Sequence, residues 1–258
     1  MSTDWKYIVQ QNLDSGAKAY NDNDVRFAKS VYKDGLQKYR ERLAAISFSG
    51  KRKILDAGCG FGQWSLALAE DNREIYSCDV SSGRIDFIDR MCRHFDIENV
   101  YTSCGTLTEL PYGDDQFDAV FCYGAIFCTP WKQSLLELAR VLAPGGMIYL
   151  TFNEIGWYVY LWKTLHNRTC DYDPRMVAAD ALTKTLVYED TGVFDGIGDL
   201  IIQTDEILNE MRLLGFEDIT IGPEGSLGNA DDLGSAKPFF EGEYFGLPGV
   251  CEVIGRLI

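Results

Sequence analysis

Short apolar runs alternate with amphipathic stretches along most of the chain. Lys53 to Gly62 reads as a strand running into a glycine turn, and Gln63 to Asp71 continues as a helix. The alternation then repeats. Glu74 to Val80, Val100 to Thr106, Phe117 to Ile126 and Met147 to Asn153 have strand character, while Gly83 to Phe95 and Trp131 to Leu142 have helical spacing. Pro144-Gly145-Gly146 is expected to stop the last of these helices before its strand. Thr204 to Leu214, capped by Gly215, reads as a further helix, and Phe216 to Ile221 and Val250 to Ile258 as two closing strands. Such alternation predicts an α/β fold with a parallel sheet covered on both faces.

Two stretches fall outside this rhythm. Val25, Phe27, Ala28, Val31, Tyr32, Leu36, Tyr39, Leu43 and Ala44 approach helical spacing, which predicts a helical preamble over Asp24 to Ile46 and a helical N-terminal cap over residues 1–50. Between Ile155 and Gln203 lie about 50 residues that exceed an ordinary connection several-fold. Trp157, Tyr158, Tyr160 and Trp162 crowd its start, and a polar patch from His166 to Arg175 follows. This segment, 155–203, is read as an inserted lid.

Composition narrows the function classes. Twenty-four Lys and Arg against 39 Asp and Glu give a net charge of −15. That charge repels a phosphate backbone, so nucleic acid is not expected as a partner. The longest apolar runs fall far short of the roughly 20 residues that cross a bilayer, so no membrane span is expected. Met1 to Gln11 shows no basic stretch leading into an apolar segment, and the eight cysteines are scattered without a CxxC pair. A cytoplasmic protein without a metal site is the expectation; a homodimer is compatible with it.

The chemistry concentrates after the first strand. Gly58, Gly60 and Gly62 let the backbone pass close to a ligand where a side chain would collide. Asp79 ends the next strand about 20 residues later, where a carboxylate can accept hydrogen bonds from both hydroxyls of a ribose. A nucleoside site follows. Gln63 stands where a dinucleotide fingerprint needs its last glycine, and Asp56 places negative charge just before the turn. That charge suits a cationic ligand better than a pyrophosphate.

The chain resembles the class I S-adenosylmethionine-dependent methyltransferases, and is similar to the subgroup containing ubiquinone and menaquinone biosynthesis methyltransferases. Leu55 to Gly62 matches that family's first motif and Cys78-Asp79-Val80-Ser81 resembles its second. Leu110-Pro111-Tyr112 with Gln116 to Val120 resembles the third, Arg140 to Gly146 the fourth, and Leu214 to Asp218 the carboxy-terminal signature. The resemblance implies a Rossmann-like, doubly wound, seven-stranded and mostly parallel sheet with an antiparallel last strand. Residues 51–258 would form the methyltransferase domain, with the lid inserted. It also implies S-adenosylmethionine as cofactor, with Asp56 and the turn Gly58, Cys59, Gly60 and Gly62 near its methionine part and Asp79 on its ribose. Val80 would flank the adenine. Thr106 stands where the family usually has an Asp facing the adenine amino group, and the Leu107 backbone can share that contact. Tyr123, Gly124 and Ala125 match positions that approach the methionine moiety.

The expected reaction is methyl transfer to a small-molecule acceptor, as O- or N-methylation by in-line displacement. Where many relatives carry a His followed by an Asp, this chain has Cys128 and Trp131, so a base must come from elsewhere. His166 is the candidate, with Asp171, Asp173 and Glu154 as further choices. Phe127, Trp131, Trp157 and Tyr158 are candidates to wall an apolar or ring-shaped acceptor, and Arg168 and Arg175 to pair with an anionic one. The loop from Gly222 to Pro248, rich in aromatics, would rim the same mouth if the last two strands pair. Two rival readings stand beside this one: an NAD-linked oxidoreductase, and a non-catalytic S-adenosylmethionine-binding protein.

Overall fold

Among the described residues, seven of the nine strands assemble into one sheet, and the other two pair as a short hairpin. A computed structural model describes residues 4–228 and 238–258, so Met1 to Thr3 and residues 229–237 of the Gly222–Pro248 loop lie outside it. Two compact units make up the chain. The first ends at Thr106 and also takes in Gly228; the second runs from Leu107 to Leu227 and from Pro238 to Ile258.

The first unit begins with helices α1 (Trp5–Ser15), α2 (Asp22–Val31) and α3 (Gln37–Ala45). Strands β1 (Lys53–Ala57), β2 (Glu74–Asp79) and β3 (Val100–Cys104) follow, with helices α4 (Gln63–Leu68) and α5 (Ser82–His94) between them. Asn21 starts α2 by a reciprocal capping box with Asp24. The single preamble expected over Asp24 to Ile46 is in fact two helices, and α1 precedes them. Gly35, with φ of +72°, turns the chain between α2 and α3, and its missing side chain makes room for the Trp5 indole. Helix α4 also stops three residues earlier than expected. Asn72 holds that end: its amide donates to the carbonyls of Phe48 and Leu68, and its oxygen accepts the Lys51 N–H at 2.8 Å.

The second unit holds strands β4 (Phe117–Cys122), β5 (Leu142–Asn153), β6 (Phe216–Pro223), β7 (Glu243–Tyr244), β8 (Leu247–Pro248) and β9 (Val250–Leu257). Its helices are α6 (Trp131–Val141), α7 (Ile155–Thr164), α8 (Pro174–Thr191) and α9 (Thr204–Leu213). The sheet order is β3-β2-β1-β4-β5-β9-β6. The pairs β1–β2, β2–β3 and β4–β5 are parallel, while β9 runs antiparallel between β5 and β6. This is the Rossmann-like order with an antiparallel last strand.

Boundaries moved where glycines bend the chain. Strand β4 ends at Cys122, short of the expected Ile126, because Gly124 turns with φ of +68° and its N–H donates to the Thr151 hydroxyl at 2.8 Å. Strand β5 opens at Leu142 rather than Met147: Phe117 pairs with Leu142, the residues between bulge, and pairing resumes at Ala119 and Met147. The 155–203 segment resolves into α7 and α8 with a core of their own. Tyr158, Leu161, Ala178, Ala181 and Ile201 are buried together there. The short β7–β8 hairpin runs so close to α7 that a Cβ on Gly156 would lie 2.4 Å from the carbonyl oxygens of both Leu247 and Pro248.

Backbone cannot give way as a flexible side chain can, so Gly156→Ala is expected to destabilise the protein by about 2 kcal/mol and lower its melting temperature by about 5 °C. Calorimetry checks this. An unchanged melting temperature would mean that helix and hairpin do not meet at this distance.

Candidate functional site

The turn after β1 is built almost wholly from backbone. The Cys78 carbonyl accepts the N–H groups of Gly58 and Cys59 at 2.8 and 3.0 Å, and the Cys59 carbonyl accepts that of Gly62 at 2.9 Å. Gly60 donates to one oxygen of Asp79 at 2.9 Å, and Ser81 donates to the other at 2.9 Å. Asp79 is buried, yet each oxygen spends only one of its lone pairs in these bonds. The space above Gly60 is open, with nothing nearer to a would-be Cβ than Phe27 at 3.8 Å. Gly62 differs. It has a φ of +78°, and a Cβ there would lie 2.6 Å from Ile88, so α5 packs against the turn only because that side chain is missing. A spare carboxylate beside a turn open over Gly60 fits the ribose of a nucleoside.

Val80, just past β2, is strongly exposed although apolar, and Thr106 is exposed at the end of the first unit. Cys59 is buried, which pushes its thiol far up and leaves it inert. Asp56 is also buried. The Ser65 hydroxyl donates to it at 2.6 Å, and the Ser77 hydroxyl donates in turn to Ser65 at 2.8 Å. Desolvation, with a smaller push from Asp79, lifts the Asp56 carboxyl to about 7.

In the second unit, Leu107 is buried and Tyr123, Gly124 and Ala125 follow the end of β4. The Tyr123 hydroxyl donates to Glu224 at 3.3 Å, and Glu224 accepts the Phe239 and Phe240 N–H groups as well. The residues assigned to the acceptor separate into two groups. Trp131 and Tyr158 are buried, and Trp131 borders a cavity of about 160 Å³ with Thr185, Tyr188 and Ile201. Trp157 instead joins a half-buried ring cluster with Tyr160, Phe240 and Tyr244, where Tyr160 stacks on Tyr244 at 4.3 Å. His166 edges the same cluster, its Nδ1 3.0 Å from the Tyr160 hydroxyl. Phe127 is half-buried, and its carbonyl accepts the Leu200 N–H at 2.7 Å.

The charged residues of the polar patch mostly serve one another. Asp173 caps α8 through the Arg175 N–H at 3.0 Å, and the Arg175 guanidinium pairs with it at 2.6 Å. These contacts, with Arg168 at 3.6 Å, hold the Asp173 carboxyl down at about 2. Glu154 accepts the N–H and the hydroxyl of Thr204, and so secures the start of α9. Sequence reasoning passed over one carboxylate. Asp199 follows a loop with two glycines that carries no recognisable spacing, yet the fold sets it against Cys128 and Tyr158 at 3.5 and 3.4 Å. Among the described residues no cluster of His, Cys, Asp and Glu could hold a metal ion.

Residues 54–146 match the family model described as a methyltransferase domain. A demethylmenaquinone methyltransferase from Clavibacter sepedonicus is 33% identical over 144 residues, covering 55% of this chain and 56% of that protein. The chain spans about half the length, or less, of the curated relatives it matches. Among solved structures, geranyl diphosphate methyltransferase in complex with S-adenosylmethionine aligns at a TM-score of 0.57 and 13% identity, covering 85% of this chain and 83% of that one. The cyclase SpnF aligns at 0.56 and 19% identity, covering 97% and 92%. At these identities the likeness is one of fold.

Asp56 makes stability depend on pH in a direction opposite to an ordinary paired carboxylate. Its folded value of about 7 lies above the ordinary 3.8, so the folded state holds the proton more tightly and stability falls as pH rises between those values. Without cofactor, Asp56→Asn should therefore melt above the wild type at pH 8, with the difference shrinking toward pH 5. A difference that stays constant between the two pH values would contradict the burial of a titrating Asp56.

Proposed function

We propose that this chain, whose residues 54–146 match a methyltransferase-domain model, is a class I S-adenosylmethionine-dependent methyltransferase that transfers a methyl group to a small-molecule acceptor. The observation that carries the reading is Asp79, buried and fixed by two backbone N–H groups, with lone pairs left beside the space over Gly60. When bound, S-adenosylmethionine supplies a methyl group made electrophilic by a positively charged sulfur.

The chain's own part is to hold, orient and exclude water. Asp79 accepts the ribose hydroxyls, and the bend from Gly58 to Gly62 leaves the cofactor room that side chains would fill. Val80 offers an exposed apolar surface directly after Asp79, suited to the face of an adenine. Asp56 brings a carboxyl that a nearby cation would favour in its ionised form, offsetting the desolvation that otherwise keeps it protonated. A net charge of −15 supports a small acceptor over nucleic acid, and eight scattered cysteines, five of them buried, support a reducing, cytoplasmic setting. The helices α7 and α8 act as a lid over the acceptor. In that arrangement the Trp157, Tyr160 and Tyr244 rings are its apolar wall and His166 is a polar group at its edge.

Asp79→Ala should weaken S-adenosylmethionine binding by about 1 to 3 kcal/mol, roughly 5- to 150-fold, because two buried hydrogen bonds to the ribose disappear. Titration calorimetry measures it, and an unchanged Kd would remove Asp79 from the site. S-adenosylmethionine should also raise the melting temperature while NAD leaves it in place. The opposite pattern would point to an oxidoreductase.

A further inference from the structure

Asp199, half-buried, stands apart from the buried acids of the second unit. Glu224 collects two backbone N–H groups and Glu252 one, each with a tyrosine hydroxyl, and Glu154 holds Thr204. Asp199 receives no backbone N–H and has no ion pair among the described residues. Its two oxygens accept one weak side-chain bond each: Oδ1 from the Cys128 thiol at 3.5 Å, Oδ2 from the Tyr158 hydroxyl at 3.4 Å. A carboxylate partly withdrawn from water and held by only two weak side-chain bonds costs stability, and a perturbed carboxyl of this kind is a candidate for function.

Its place in the fold is specific. The segment that carries it is tied to the carboxyl ends of two strands, through Leu200 N–H to the Phe127 carbonyl beyond β4 and Ile202 N–H to the Asn153 carbonyl ending β5. Ile201 N–H donates to Thr185 of α8 at 2.8 Å, which fixes the segment from the other side. Ligands of open α/β sheets bind beyond the carboxyl ends of the strands. The ionisable groups around Asp199 are Cys128 after β4, Tyr158 of α7, Tyr172, and Asp180 and Lys184 of α8, with Lys184 already paired to Asp180 and Asp195. Burial raises the Asp199 carboxyl above the ordinary carboxylate range, which makes it a better proton acceptor.

We propose that Asp199 is the base that takes the proton from a hydroxyl acceptor, with Tyr158 and Cys128 orienting its carboxylate. This rests on the methyltransferase reading above. The acceptor oxygen forms the new O–CH3 bond, the S–CH3 bond breaks with its electron pair retained by sulfur, and the O–H proton passes to the Asp199 carboxylate. A carboxylate suits an acidic hydroxyl, a phenol or an enol, rather than a simple alcohol. The aromatic wall of Trp157, Tyr160 and Tyr244 in the same unit suits a ring beside that hydroxyl.

The test uses the full chain, S-adenosylmethionine and a series of para-substituted phenols, with the matching anilines alongside. Phenols should release S-adenosylhomocysteine faster than anilines. Asp199→Asn should lower kcat with phenols by about 100-fold or more, abolish the rising limb of the pH profile, and leave the calorimetric Kd for S-adenosylhomocysteine unchanged, while Asp199→Glu restores part of the rate. Without any cofactor, Asp199→Asn should also speed alkylation of Cys128 by iodoacetamide several-fold, because a neighbouring negative charge no longer opposes the thiolate. If Asp199→Asn does not fold, Tyr158→Phe takes its place, with a fall in kcat at constant S-adenosylhomocysteine affinity expected. An Asn variant, or that Phe variant, that turns over like the wild type overturns the proposal, as do an unaltered alkylation rate, methylation of anilines alone, and methylation of none of the phenols by a protein that binds S-adenosylmethionine. A protein that binds no S-adenosylmethionine overturns the underlying reading itself.

Discussion

The first unit depends on a buried carboxylate that is satisfied by backbone. Asp79 bonds the Gly60 and Ser81 N–H groups, and so ties the turn after β1 to the start of α5 in one contact. A buried carboxylate without those donors would cost several kcal/mol, and donors without the carboxylate would be stranded. The N-terminal helices reinforce the same place. The Tyr32 hydroxyl donates to the Phe61 carbonyl at 2.7 Å, and Arg84 of α5 pairs with Asp24 of α2 at 2.8 Å. The turn is therefore rigid before any ligand arrives, which lowers the ordering cost of binding one.

The second unit solves a different problem, that of burying acids against hydrogen-bond donors. Glu252, fully buried, accepts the Tyr149 hydroxyl at 2.8 Å and the Leu227 N–H at 2.6 Å, while Glu224 takes the N–H groups of Phe239 and Phe240. These carboxylates act as joints between strand ends and loops. The Glu154 N–H donates to the Gly249 carbonyl while its side chain secures Thr204, so one residue fixes the exits of β5, the β7–β8 hairpin and α9. Gly156 lets the same hairpin lie directly on α7.

The parts legible in the sequence were those set by short-range constraints. The glycine turn, Asp79 and the strand–helix rhythm depend on backbone sterics and on burial of neighbouring residues, which leave a periodic trace. Where glycines act by removing a side chain from a tertiary contact, the trace vanished. Gly35 splits the preamble because the Trp5 indole, thirty positions earlier, needs its space, and no local pattern announces that. Helix α8 was hidden for a related reason: Met176, Leu182, Leu186 and Val187 remain exposed, so its apolar residues do not mark a single buried face. Asp199 escaped notice because its partners Cys128 and Tyr158 lie 71 and 41 residues away.

A fold like that of a methyltransferase and of a cyclase means that the scaffold leaves the reaction open. The choice must rest on groups that the scaffold does not need. Asp79 is held by the backbone and at the same time holds it, so changing it risks the turn along with any chemistry. Among the described residues Asp199 is bound through two long side-chain contacts, and its segment is secured by the main chain of Leu200, Ile201 and Ile202. A half-buried carboxylate held by two weak side-chain bonds, with no ion pair among the described residues, has its simplest physical explanation in the proton it can accept.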